Sequence, residues 1–294
     1  MKKSIVDTSS TTNKTSIFKK IAALFFSRLR SLTVGVALSG IFLSIILLWL
    51  LLPNLFAPDA LLQNLNNTGA PAGSPGHLLG TDVLGRDVLS LLIAGTRSAM
   101  IGPIAIAVGS LIIGLVFGNI AGWYGRWPDR IISAYADLTL SMPAMLLAIA
   151  AAGIIGGGYW VSVTVMIILY SPADIRLVRA AVIQQKGKPY IESALLMRLS
   201  SPYIIAKHIF PNIYKIVFVN FFLNIAYGLV SMSSLSFLGL GVGPGDADWG
   251  RQLADGRQYL FTNPALSIGA GLLIIFTAVS INVIGSYIMD SRDE

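Results

Sequence analysis

Residues 189–212 read PYIESALLMRLSSPYIIAKHIFPN. They lie in a stretch rich in Lys and Arg, between long apolar segments, and they carry two helix-start signals of their own. Pro189 suits a first helical position, where its missing N–H costs nothing, and Glu192 in the first turn favours the positive end of the helix dipole. Ser201-Pro202 repeats the signal as a serine cap followed by proline, and Pro211 is expected to close the second helix. In the first helix Ile191, Ala194, Leu195, Leu196, Met197 and Leu199 leave only a narrow polar strip. So apolar a surface buries itself against a partner or the rest of the chain, or else rests on lipid as an amphipathic hairpin. The expected pattern is helix, break, helix, in a loop between spans.

The segments on either side decide the fold class. The chain has 294 residues, of which 54% are hydrophobic and 12% charged, and a mean hydropathy of +0.73. Soluble domains carry about 25% charged residues, so the solvent for this chain is the bilayer. The net charge of +7 gathers in loops, which speaks for membrane orientation and against nucleic acid as a partner. With no cysteine there is no disulfide framework, thiol nucleophile or cysteine metal cluster.

A spanning helix needs about 20 apolar residues, and six segments qualify. They are Leu32 to Leu52, Ser98 to Tyr124, Ile131 to Ile155 (interrupted by Asp137 and Pro143), Tyr159 to Val178, Ile216 to Leu238 and Leu266 to Met289. Gly156-Gly157-Gly158 makes a tight turn into the fourth. An all-α integral membrane protein follows, with both termini on one side. That side carries 17 of the 21 Lys and Arg residues and the other side only Arg86, Arg97, Arg251 and Arg257, so the termini are expected in the cytoplasm. The first apolar run is too long for a signal peptide and no small-x-small cleavage site follows closely.

The organisation expected is a cytoplasmic tail over 1–31, a first span with its external loop over 32–97, a five-helix core over 98–289 and a tail over 290–294. Met1 to Ser16 is expected to lack fixed structure, and Ile17 to Leu29 to lie in the interface as an amphipathic helix. Gly114, Gly118 and Gly122 stand four apart and invite close approach of another helix.

Several charged residues are candidates for function. Asp137 and Asp174 are ionisable groups inside spans; both are expected near the cytoplasmic end, pairing with Arg130, Arg176 or Arg179 or serving a gate. Residues 77–88, HLLGTDVLGRDV, read as a turn-rich external loop in which Asp82, Arg86 and Asp87 pair with one another. His77 and His208 fall on opposite sides of the membrane and cannot share a metal. No HExxH, GxSxG or GxxxxGK[ST] occurs, so neither hydrolytic chemistry nor ATP binding is encoded.

These stretches carry a family resemblance. Glu192-Ser193-Ala194, with the ending His208-Ile209-Phe210-Pro211-Asn212, resembles the EAA loop of ABC importer permeases. His77 to Val88 with Ser90 resembles the HxLGTDxLGRDxxS signature of the dipeptide, oligopeptide and nickel branch. Ser236 to Gly241, Trp249-Gly250 and Gly256-Arg257 resemble its external segment, and Gly125 to Arg130 its short cytoplasmic turn. The chain is most similar to the second permease of those systems, over about Thr33 to Tyr287.

The resemblance implies a type I importer permease fold in a bacterial inner membrane. Implied partners are a homologous permease, two ATPase subunits that hold the ATP and Mg, and an extracellular solute receptor. This chain would hold no cofactor and no catalytic residue. Glu192, Ser193, Ala194, Leu195, Met197, Arg198, His208 and Pro211 would form the ATPase-coupling loop. Asp82, Arg86, Asp87, Asp246, Asp248, Arg251, Asp255 and Arg257 are possible receptor contacts. Peptides are the expected cargo, with nickel or metal–chelator complexes as the alternative. One departure stands out, because Arg198 occupies the glycine position of the pattern: either arginine adopts the positive φ, or the bend lies at Ser200-Ser201. The rival of another class, a secondary transporter or channel, calls for several charges or broken helices at mid-membrane.

Overall fold

The computed structural model describes residues 34–290, and its long elements are all helices. They are α1 Val34–Leu51, α2 Val88–Tyr124, α3 Arg126–Leu140, α4 Ala144–Ile155, α5 Tyr159–Lys186, α6 Pro189–Leu196, α7 Ser201–Phe237, α8 Trp249–Gly256 and α9 Ala265–Asp290. The expectations for 1–33, including the interfacial helix, and for 291–294 lie outside the described residues. Among those described, the spans α1, α2, α5, α7 and α9 are each long and apolar enough to cross a bilayer.

The seam of α2 against α5 organises the bundle. A Cβ on Gly114 would lie 2.5 Å from the Asp174 Cβ, one on Gly118 2.7 Å from that of Val178, and one on Gly122 2.8 Å from that of Val182. The three glycines let the backbones approach as small-xxx-small packing requires. Both sets of numbers rise together, so α2 and α5 run parallel. The α3–α4 pair must therefore carry the chain back from one end of the bundle to the other, and it acts as one crossing. The interruption expected at Pro143 is a sharp one: the pair bends by 88° at Ser141-Met142-Pro143, where proline cannot continue the hydrogen-bond ladder and restricts its predecessor.

The remaining helices alternate. Gly228 of α7 meets Pro103 of α2 and Asn224 meets Ser110, so α7 is antiparallel to α2. Gly269 of α9 meets Leu92 of α2 while Gly285 meets Phe222 of α7, so α9 runs with α2 and antiparallel to α7; Gly40 of α1 meets Ile284 and Phe42 meets Phe276, so α1 is antiparallel to α9. Six crossings result, with Val34, Asp290 and α6 at one end. The opposite end holds the 52–87 loop and α8.

The two largest departures from the expected boundaries are both helix starts. α2 begins at Val88 rather than Ser98, because Asp87 caps it by accepting the Ser90 N–H at 2.8 Å. The added turns pack on α8 rather than on lipid: the Trp249 indole donates to the Leu92 carbonyl at 2.8 Å and the Gln252 amide to that of Leu91 at 2.7 Å. α7 begins at Ser201 rather than Ile216, for a reason that belongs to the site.

Candidate functional site

Pro189 does stand at the first position of α6, with Glu192 in the first turn. Helix α6 hangs from α5 across the short link Gly187-Lys188 and ends in a Schellman motif. The Leu199 N–H donates to the Ala194 carbonyl at 3.2 Å and the Arg198 N–H to the Leu195 carbonyl at 2.9 Å. Arg198 itself adopts φ +56°. The bend therefore sits at the position where the pattern has glycine, and arginine accepts a left-handed conformation that costs a side chain about 1 kcal/mol.

The second helix is not separate. Ser201–Ile204 passes through a π-helical turn, Ile205–Ile209, into the long span without a stop. The cap is Ser200 rather than Ser201, and its side chain makes no capping bond. Pro211 does not close the helix either. In α geometry its ring would press on the Lys207 carbonyl, and the preceding π turn widens the spiral at that point. His208 lies within the turn, its ring edge-on to Tyr203 at 6.0 Å.

Helix α6 has two apolar faces with opposite fates. Ile191 and Ala194 are fully buried with Trp123, Val178, Val182, Ile204, Ile209 and Ile213. Leu195 stands half-exposed, while Leu196 is 85% and Met197 66% exposed. Glu192, Ser193 and Arg198 are exposed as well. Lys186 fastens this end, donating to the Trp123 carbonyl at 2.6 Å and lying 5.5 Å from its ring centre. The Tyr190 hydroxyl donates to Gln185 Oε1 at 2.6 Å. The outward strip of Leu195, Leu196 and Met197 is thus an apolar patch on a rigidly held helix.

The charged loops at the other end are built differently. Arg86 and Asp82 are both buried and paired, with Nε to Oδ2 at 2.7 Å. Asp82 also accepts the N–H groups of Leu84 and Arg86, at 2.9 and 2.8 Å. Arg86 reaches the Gly245 carbonyl at 2.7 Å and so ties this loop to the segment before α8. Asp87 caps α2 and meets His77 Nδ1 at 3.0 Å. Asp248 is buried as the cap of α8, and its burial pushes the carboxyl above the usual range. Asp82, Arg86 and Asp248 are therefore turned into the chain, not toward a receptor. Arg251 is occupied by Asp255, while Arg257 is exposed.

Of the two intramembrane carboxyls, Asp137 pairs with Arg176 as expected, and the pair is exposed. A second pair, Asp129 with Arg179, joins α3 to α5 and was not foreseen. For Asp174 the expectation of a cationic partner is corrected. It is 1% exposed and lies between helices, accepting from Asn220 and, at 2.8 and 3.0 Å, from Asn224 of α7. The close approach of α2 at Gly114 directs this side chain toward α7. His77 and His208 lie at opposite ends of the bundle.

The chain is similar to known proteins. The profile of the family described as "Binding-protein-dependent transport system inner membrane component" matches residues 114–293. The glutathione transport system permease protein GsiD of Pectobacterium atrosepticum is 36% identical over 220 residues, which is 75% of this chain and 73% of the relative. The dipeptide transport system permease protein DppC of Alkalihalophilus pseudofirmus is 34% identical over 218 residues, 74% of this chain and 71% of the relative. A chain of the inward-facing MetNI methionine ABC transporter superposes with a TM-score of 0.56 at 19% identity, covering 69% of this chain and 96% of that one. That last likeness is one of fold.

Proposed function

This chain belongs to the family of binding-protein-dependent transport system inner membrane components, and on that premise we propose that it imports short peptides as one of two permeases of an ATP-binding-cassette importer. The observation that carries the reading is the division of α6. One face is locked into the bundle through Ile191 and Ala194, and the other presents Leu195, Leu196 and Met197 to a partner. A cytoplasmic ATPase is the partner that fits. Its closure on ATP and Mg, which it holds itself, pushes on α6, and α6 passes the push to α5 and α7. The glycine seam makes α2 and α5 one body, so the displacement reaches the far end of the bundle as rocking rather than bending.

Orientation follows from charge. Among the described residues nine Lys and Arg lie toward the α6 end and four toward the other, which supports α6 facing the cytoplasm of a bacterial cell and the 52–87 loop facing outside. The homologous permease covers the exposed flank of α3 and α4, and the solute receptor docks outside, where Arg257 is available. Peptides are preferred over nickel because the relatives carry glutathione and dipeptides by name. The test is ATP-driven uptake of glutathione and a dipeptide by proteoliposomes holding the full complex and its receptor. Uptake driven by a proton gradient with no ATPase present would overturn the reading.

A further inference from the structure

At the end of the bundle opposite α6, a cavity of about 550 Å³ opens between α2, the start of α5 and the segment before α8. Small-molecule sites span roughly 300–1,000 Å³. Two charges line it, Arg97 on α2 and Asp246 before α8. Both are exposed, and neither side chain has a hydrogen-bond or ion-pair partner among the described residues. Other polar groups of the wall are engaged: the Tyr159 hydroxyl donates to the Ser98 carbonyl, and the Ser98 hydroxyl to the Ala247 carbonyl at 2.8 Å. Tyr159 and Trp160 meet edge to face at 5.3 Å and give the cavity an apolar wall, with Trp160 62% exposed.

A cation and a carboxylate that share a concavity without pairing leave both charges for a ligand. The guanidinium is a planar fork matched to a carboxylate, and the carboxylate accepts from an ammonium group. We propose that this cavity is a subsite for a zwitterion, in which Arg97 takes the α-carboxylate of a short peptide, Asp246 its α-ammonium group, and the Tyr159–Trp160 wall a side chain. The proposal deepens the peptide reading and rests on it: the cavity lies at the end proposed to face the receptor and would receive peptide as the receptor releases it. A zwitterionic phospholipid headgroup offers the same pair of charges, so the experiment separates the two sources.

The purified complex of both permeases with the ATPases is placed in nanodiscs of phosphatidylglycerol, without receptor. Equilibrium binding of trialanine is then compared with that of trialanine amide, N-acetyl-trialanine and N-acetyl-trialanine amide. Trialanine is expected to bind at least about tenfold more tightly, the effect of losing charged hydrogen bonds at both ends. Arg97→Gln should abolish the preference for a free carboxylate and Asp246→Asn the preference for a free amine, while Arg97→Lys restores part of the first. The proposal is overturned by absence of trialanine binding, by variants that bind as wild type, or by losses equal for free and blocked peptides, which mark a merely structural role. Phosphatidylethanolamine retained through purification by wild type but not by Arg97→Gln, with no peptide bound, would make the cavity a lipid site and also overturn it. Binding here needs neither ATP nor receptor, so failure of ATP-driven uptake counts against the import reading and not against the subsite.

Discussion

The two ends of the bundle treat their sequence motifs in opposite ways. In the 77–88 loop the charged residues face inward: Asp82 and Arg86 are buried against each other, and Asp87 caps a helix. In the 189–212 segment part of the apolar set faces outward, with Leu196 and Met197 exposed on a helix whose other side is locked through Ile191 and Ala194. Each arrangement inverts the usual expectation of charges outside and apolar groups inside. The charged motif is buried scaffold, and the apolar one leaves an exposed strip, which we propose a partner covers.

The sharpest way to break the contrast is to remove one member of the buried pair. Asp82→Ala leaves the Arg86 guanidinium uncompensated and should cost about 3–5 kcal/mol, read as a fall in the thermal midpoint of the purified protein. Stability within 0.5 kcal/mol of wild type, roughly the scatter of neutral surface changes, would return Asp82 to the surface. On the other side, Leu196→Asp with Met197→Asp should weaken retention of the ATPase pair by at least about tenfold, or 1.4 kcal/mol, and leave the midpoint unchanged. Ala194→Asp, on the locked face, should instead lower the midpoint. If the two faces behave alike, the division of α6 is wrong.

Smaller effects refine the picture. Asp87→Ala should lose about 1 kcal/mol as the α2 cap goes, measurable by denaturant midpoint. Arg198→Gly should gain about 1 kcal/mol by relieving the left-handed strain, and any loss there would mean that the arginine side chain does more than occupy the bend. Arg257→Ala should leave stability unaltered, its only consequence being weaker receptor affinity in a pull-down against the solute receptor.

Much of the architecture was legible because the bilayer demands long uncharged helices. The glycine spacing in α2 announced the seam, and the departure at Arg198 pointed to a bend where a side chain sits at positive φ, as Arg126 also does at the start of α3. What escaped has physical reasons. The first turns of α2, with Arg97 among them, pack on α8 and so lack the signature of lipid contact. Asp174 was assigned by its sequence neighbours Arg176 and Arg179, whereas its real neighbours, Asn220 and Asn224, arrive from another helix. A buried carboxyl and a broken span are also what a secondary transporter would show, so these features do not separate the classes and family membership does. Pro211 reads as a stop in any linear scan, because a π turn that accommodates proline leaves no residue-type signal.

That turn has a consequence for how α7 is phased. A π turn carries one residue more than an α turn, so it offsets everything beyond it by about 100° around the axis. The buried stripe of α7 shows the offset directly: Ile204 to Ile209 is a step of five, while Ile209 to Ile213 and Ile213 to Val217 are steps of four. One polypeptide rod thus carries two helical phases, spliced at Ile205–Ile209. Deleting a single residue from the splice would let a plain α-helix carry the same stripe in steps of four but would press the proline ring on the carbonyl four residues before it, whereas inserting one would rotate the span and the contact segment out of step with each other.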